Sequence, residues 1–307
     1  MLIVVSFVVV GVGASGAYAL LLARRIETFA VELPGSPKGG TTYLLVGSDS
    51  RAGIRPEQQP AFGLTPGERA DIMLVVRAHD DGTITVVSLP RDLLVLGPEL
   101  AFHRLALRWL AGPQALVESL CGSLGLGIDH LVVIDMVGFM EVVDAVGGVD
   151  VVRETALRDT LLDFDLDVGR THLDGYTALQ YVRARHLQER TIDGWKPIDN
   201  ARSEHSMFVL RALGREMRPD WNVVRNHRLA WSVAGAVSAD ADTGIRDLWR
   251  LAGVLRRIDE GALVALPTTL TDAPIPFAEL RPGAAAALDR VGRGGPCGEG
   301  ALLAGPD

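Results

Sequence analysis

Three apolar runs, Tyr43–Val46, Ile72–Val76 and Ile84–Val87, lie close together near the start of the chain. Short runs of this kind, rich in Val and Ile and bounded by Gly, Asp and Pro, read as buried strands. Each run ends near charge. Asp49 and Arg51 leave the first, Asp71 enters the second, and Arg91 and Asp92 follow the third. Strand ends are where open α/β sheets place their ligands. His79-Asp80-Asp81-Gly82 reads as the turn of a hairpin between the second and third runs.

Helical patterns then alternate with further strands. Leu or Val recurs at three- and four-residue intervals over Pro98–Leu110 and Pro113–Leu124. Further helices are predicted over Val137–Val146, Asp174–Ala184, Asp199–Met217, Val223–Val237, Ile245–Ile258 and Ala278–Val291, with Asp174 as an N-cap. Leu131–Ile134, Val149–Val152 and Leu263–Leu266 read as strands. The alternation predicts a layered α/β domain, a central β-sheet flanked by helices on both faces.

Leu2–Ala23 carries no charge, and at about 1.5 Å per residue it spans about 33 Å, enough for a bilayer core. Arg24, Arg25 and Glu27 close it. It lacks the basic start of a cleaved signal, so it predicts an uncleaved transmembrane anchor over 1–23. The positive-inside rule alone puts the Arg24-Arg25 flank in the cytoplasm; a basic stretch upstream of Met1 would reconcile that with an external domain. Residues 24–40 follow as a linker rich in Pro and Gly, 41–292 as the globular domain, and 293–307 as a flexible tail.

An apolar content of 48% with 22% charged residues describes a foldable chain, and a net charge of −8 gives no overall basic signature for nucleic acid. Cys121 and Cys297 form no metal pattern. They read as an unpaired core thiol and a tail thiol, with a disulfide the lesser alternative.

Asp49 and Asp71 are hard oxygen donors that suit Mg²⁺, although one such Asp is more often a cap or an arginine partner. Arg91, Arg104, Arg183, Arg185 and Arg202 fall at element ends or faces. Singly each is an ordinary surface residue, but several converging on two carboxylates would grip phosphate oxygens. Arg183 and Arg185 diverge by about 200° on one helix, so both face one ligand only if the helix ends between them. The chain has no G-x-S-x-G elbow, Walker loop or H-E-x-x-H. Gly122–Gly127 follows a helix and is rejected as a dinucleotide loop.

Seven blocks in order, LLVGSDSR (44–51), RADIMLVV (69–76), SLPRDL (88–93), RLALRWLAGPQ (104–114), IDHLVVIDMVGFMEVVDAVGGVDV (128–151), LDGYTALQYVRARH (173–186) and DNAR (199–202), resemble the LytR–CpsA–Psr family of membrane-anchored cell-wall glycopolymer transferases. The resemblance implies one membrane span and an extracytoplasmic α/β domain. It implies transfer of a glycan phosphate from a polyprenyl-pyrophosphate carrier to a peptidoglycan hydroxyl, with Mg²⁺ or Mn²⁺. Carried over, Asp49 and Asp71 match the metal-linked carboxylates. Arg91, Arg104, Arg183, Arg185 and Arg202 match the pyrophosphate-binding positions, with Asp71 and Arg91 catalytic. Arg51 orients Asp49.

The sequence departs from that pattern. Ala106 stands where the family usually has Asn, and His205-Ser206 where it has Arg-Gln; Leu187–Ile198 and the Asp49–Asp71 spacing are long. A protonated His205 in partial compensation would make activity acid-favoured. Two alternatives share the site: a polyprenyl-pyrophosphate hydrolase, and a non-catalytic binder of the carrier lipid.

Overall fold

The computed structural model describes residues 16–50, 54, 68–97, 101–184, 186–198, 201–216 and 222–303. Strands β1 (Glu27–Phe29), β2 (Gly40–Ser48), β3 (Ala70–His79) and β4 (Ile84–Ser88) come first, then the β5–β6 hairpin (Leu94–Leu96, Phe102–Arg104) and β7 (His130–Ile134). Six short strands follow: β8 (Val149–Arg153), β9 (Leu157–Asp159), β10 (Phe164–Leu166), β11 (Gly169–Leu173), β12 (Gln188–Thr191) and β13 (Gly194–Pro197). The last are β14 (Val237–Asp240), β15 (Leu263–Val264), β16 (Thr268–Leu270) and β17 (Ala278–Leu280). Seven form the central mixed sheet, in the order β1-β14-β7-β2-β3-β4-β15.

The three apolar runs are its neighbours β2, β3 and β4, paired antiparallel, with β7 parallel to β2 on the other side. Gly82 takes a positive φ of 89° in the turn at 79–82, a conformation that glycine reaches without steric cost. Alternation along the strands divides the core. Leu44, Val46, Met73, Val75 and Val87 pack under the helix Pro113–Leu124. Tyr43, Leu74, Val76, Val86 and Val132 pack with helix 16–25 and the helices Val223–Ala236 and Ile245–Leu255. Helices thus cover both faces, each buried by its own half of a period-2 pattern. A side lobe holds the small strands and the helices Met136–Val146, Gly175–Arg183 and Ala201–Glu216.

Several expectations need correction. Residues 24–40 are not a free linker. Thr28 pairs with Ala239 in the sheet, and Ile26 is buried. The predicted anchor needs correction at its end too: Leu22 is buried in the domain core and Tyr18 packs against the same cluster. Asp129 accepts from Ser36 N, Ser36 Oγ and Thr42 N at 2.6–2.8 Å. Buried Arg77, its pKa lowered chiefly by desolvation, donates to Thr42 Oγ1 (2.8 Å) and Pro37 O (2.9 Å). The flexible tail is also overturned through residue 303. Cys297 is disulfide-bonded to Cys121, Gly294 N donates to Gly125 O (2.7 Å), and Leu302 packs on the core.

The Pro98–Leu110 pattern splits among the described residues: 102–104 pairs back on 94–96 as β6, and an α-helix over Leu105–Arg108 runs on into a 3-10 turn, Trp109–Ala111. Ala278–Leu280 is a strand, because Pro282-Gly283 delays the helix to Ala284–Asp289. The long Leu187–Ile198 insert is the β12–β13 hairpin, joined to β9 and stacked through Trp195 under Arg158. Most of the predicted anchor, and nearly all of the loop from 52 to 68, lie outside the described residues. No helix among the described residues is long and apolar enough to cross a membrane.

Candidate active site

The site forms where β2 and β3 lose register. Gly47 pairs with Ile72 but Ser48 pairs with Ala70, so Asp71 is the extra residue of a β-bulge. Bulges of this kind re-aim a side chain near functional sites. Asp71 lines a cavity of about 230 Å³ beside Gly47, Ser48, Asp135 and Arg183. Its side chain is 11% exposed and its Oδ1 accepts from Arg91 Nη1 at 2.7 Å.

Arg91 also reaches Asp92 at 3.3 Å, and Asp92 meets Arg104 Nη1 at 3.5 Å. Arg104, on β6 in register with Leu94 of β5, is fixed further by donating to Pro276 O at 2.8 Å. Burial opposes the Arg91 charge. Asp71, by charge and hydrogen bond, and then Asp92 outweigh burial and raise its pKa above the ordinary arginine value. Asp71, Arg91, Asp92 and Arg104 therefore make one linked row of alternating sign.

Arg183 arrives from the other side. Asp174 caps its helix by accepting from Thr177 N (2.9 Å), and the helix ends at Arg183 because Ala184 is extended. That is the ending the Arg183–Arg185 spacing requires. Arg183 donates to Met136 Sδ at 3.2 Å, just past the N-cap Asp135, which accepts from Gly138 N at 2.7 Å.

Asp49 stands apart from the cavity wall. It is 6% exposed, its Oδ1 accepts from Arg69 N (2.6 Å), and its own N donates to Arg69 O (2.8 Å). The carboxylate thus closes the end of the β2–β3 ladder on the Arg69 backbone, rather than capping a helix. It lies opposite Arg69, two residues before Asp71, so the two aspartates share one end of adjacent strands at roughly 8 Å between Cα atoms. Arg51 and Arg185 lie outside the described residues, as do the side chains of Arg202 and His205. Ala106 is buried, and its N donates to Arg91 O at 2.9 Å, so that departure sits beside the site.

Behind the charged row the cavity walls are apolar. Leu45, Val132, Phe139 and Leu179 come from the sheet and lobe, and Leu213, Leu248 and Leu251 from the later helices. Within the Leu131–Phe139 stretch, Val132, Ile134, Met136 and Phe139 line it, whereas Leu131 and Val133 pack into the opposite core. The sequence reading missed Asp92 as a site member, although it adjoins Arg91, and missed the helical walls altogether.

A mixed-sheet α/β fold with an acid–guanidinium row at the mouth of an apolar slot describes the class of protein. The chain belongs to the LytR_cpsA_psr family, whose model matches residues 13–270. It is 38% identical over 151 residues to the "probable cell wall biosynthesis protein LcpB" of Corynebacterium glutamicum, covering 48% of this chain and 36% of that one. It is 25% identical over 219 residues to the "polyisoprenyl-teichoic acid–peptidoglycan teichoic acid transferase TagU" of Oceanobacillus iheyensis, covering 65% and 64%. Against the solved "LytR-Csp2A-Psr enzyme from Actinomyces oris" the TM-score is 0.71 at 30% identity, over 88% of this chain and 97% of that one. The match to LcpB spans only about a third of that relative's length.

Proposed function

We propose that this chain is an extracytoplasmic, membrane-anchored phosphotransferase of cell-wall assembly. It moves a glycopolymer phosphate from a polyprenyl-pyrophosphate carrier to a peptidoglycan hydroxyl. The observation that carries the reading is the junction of Asp71, Arg91 and Arg183 with one apolar slot. A diphosphate on a long hydrocarbon chain needs both halves, and burying each CH₂ contributes about 0.8 kcal/mol.

In the reaction the acceptor hydroxyl oxygen attacks the phosphorus that bears the glycan. The bond from that phosphorus to the bridging oxygen breaks. The polyprenyl monophosphate leaves with the electron pair, and the hydroxyl proton passes to a base or to water. Little covalent chemistry is asked of the protein, because phosphoryl transfer depends on positioning and electrostatics. Arg183 faces the leaving charge from the slot. Arg91, held protonated by its two aspartates, adds a second positive group as diphosphate oxygens draw it from them. Arg104 keeps Asp92 in place; in the resemblance Arg185 and Arg202 add further guanidiniums.

Mg²⁺ or Mn²⁺ fits the donor set. Asp71 and Asp49 offer hard carboxylate oxygens at one strand end, and such ions commonly take one or two carboxylates with phosphate and water. Bound there, the ion would neutralise diphosphate charge.

Ala106 favours a second reading, a weakened member that binds the carrier without turnover, because it removes a side-chain donor next to Arg91. The full-length chain with a polyprenyl-pyrophosphate glycan, Mg²⁺ and peptidoglycan separates the readings. Lipid monophosphate with wall-linked polymer is the expected product. Free glycan phosphate would make the chain a hydrolase, and saturable binding without product would make it a binder.

A further inference from the structure

The apolar slot does not end inside the domain. Val233, Val237, Leu248 and Ala252 line both it and a second cavity of about 270 Å³. That second cavity is an apolar groove between three helices: 16–25 through Leu22 with Ile26 just after it, Val223–Ala236 through Leu229, and Ile245–Leu255 through Trp249. The helices are tied together. Tyr18 Oη meets His227 Nδ1 at 2.8 Å, and Arg25 lies 4.6 Å over the Trp231 ring while donating to Trp231 O.

The outer surface of this layer is apolar and basic at once. Leu20 is 65% exposed, Leu21 54%, Trp249 52% and Trp231 39%. Residues 16–25, 223–236 and 245–257 hold eight arginines and one acid, Asp247, a net +7 in a chain of net −8. Around the axis of Ile245–Leu255, at 100° per residue, Leu248, Leu251, Ala252 and Leu255 turn to the slot while Arg246, Trp249 and Arg250 turn outward. Arg250, Arg256 and Arg257 line an open hollow of about 530 Å³, and Arg256 also lines the groove. A bland account covers some of these arginines: Arg250 pairs with Asp247 and Arg257 reaches Gly253 O. It leaves the +7 and the half-exposed Trp249 without a reason.

We propose that this three-helix layer is a membrane-docking face, seated on the headgroups of an anionic phospholipid bilayer with Trp249 and Trp231 at the interface. Tryptophan prefers that depth, and a basic amphipathic helix lies in that plane. Arginines beside an anionic leaflet are drawn to its negative surface potential. The uncharged run ending at Ala23 enters the layer directly through helix 16–25. The proposal rests on the carrier-lipid reading of the slot and adds to it the side from which a tail would enter.

The test reconstitutes the full-length chain in vesicles about one third phosphatidylglycerol, with brominated acyl chains as quenchers of tryptophan fluorescence. The wild type is expected to be quenched. W249F should remove most of the quenched component, whereas W195F, on the distant β12–β13 hairpin, should leave it unchanged. R246Q/R250Q/R257Q should lower quenching to the level seen in uncharged phosphatidylcholine vesicles. Equal quenching in wild type and W249F, loss of the component in W195F, indifference to the arginine changes, or no association with vesicles would each overturn the proposal. Turnover plays no part in this readout. An inactive enzyme leaves the docking face standing, and a dry Trp249 leaves the transferase reading standing.

Discussion

The two faces of the central sheet are built from alternate residues of the same strands, yet they pack differently. Leu44 and Met73 look into a face closed by Leu116, Leu120 and Leu124, all fully buried, and pinned by the Cys121–Cys297 disulfide. Leu45 and Leu74 look toward the slot and the groove behind it. One face is filled and stapled; the other holds space that packing would otherwise remove, since protein interiors are normally dense. The contrast teaches a division of labour: the filled face supplies stability, and the hollow face is the one to which the proposed transfer assigns the chemistry, at its charged end.

Four perturbations sharpen or break that division, beginning with the largest. C121S/C297S opens a cross-link of sequence separation 176 and should cost about 3–5 kcal/mol in chemical denaturation, with transfer at 25 °C retained. Loss of activity in a still-folded double variant would break the contrast.

Asp71→Ala and Arg91→Ala, on the hollow face, should each lower the transfer rate by about 10²–10³-fold, with a circular-dichroism melt near that of the wild type. A normal rate in either would remove that residue from the site.

Ala252→Trp fills the slot where it joins the rear groove. It should weaken a long-chain polyprenyl donor by about tenfold, ~1.4 kcal/mol, and leave a short-chain donor unaffected. Equal effects on both donors would mean the walls are ordinary core.

The smallest effect belongs to the cap beneath Arg183. Asp174→Ala should cost about 1 kcal/mol of stability. Hydrogen bonds from the Thr177 side chain and backbone hold the Asp174 pKa below its usual value. Its contribution is therefore present above about pH 4 and lost as pH falls through the depressed folded value. Wild type and variant should converge in acid denaturation; a gap persisting there would contradict the assignment.

Much of the sheet was legible because Tyr43–Val46 and Ile72–Val76 are unbroken apolar runs of strand length, the mark of strands buried on both faces. The charged row was half legible. Asp71 and Arg91 stand out at strand ends, but the register break that turns Asp71 into the slot comes from pairing between β2 and β3. Asp92 gains its role only when Arg104 folds back beside it on the β5–β6 hairpin. The slot was illegible, because Leu213, Leu248 and Leu251 look in sequence like any core-facing helix stripe. Residues 24–40 looked like a linker by composition. What orders them comes from Asp129 and Arg77, far along the chain, and the tail is held the same way by Cys121.

Photocrosslinking can locate the carrier tail: a polyprenyl pyrophosphate with a photoreactive group partway along its tail is bound to the full-length chain and mapped by mass spectrometry. Label is expected on slot residues such as Phe139, Leu213, Leu248 and Leu251, displaced by unmodified carrier and weakened by Arg91→Ala. Label confined to the Pro113–Leu124 face, or label in the slot indifferent to Arg91, would contradict that placement.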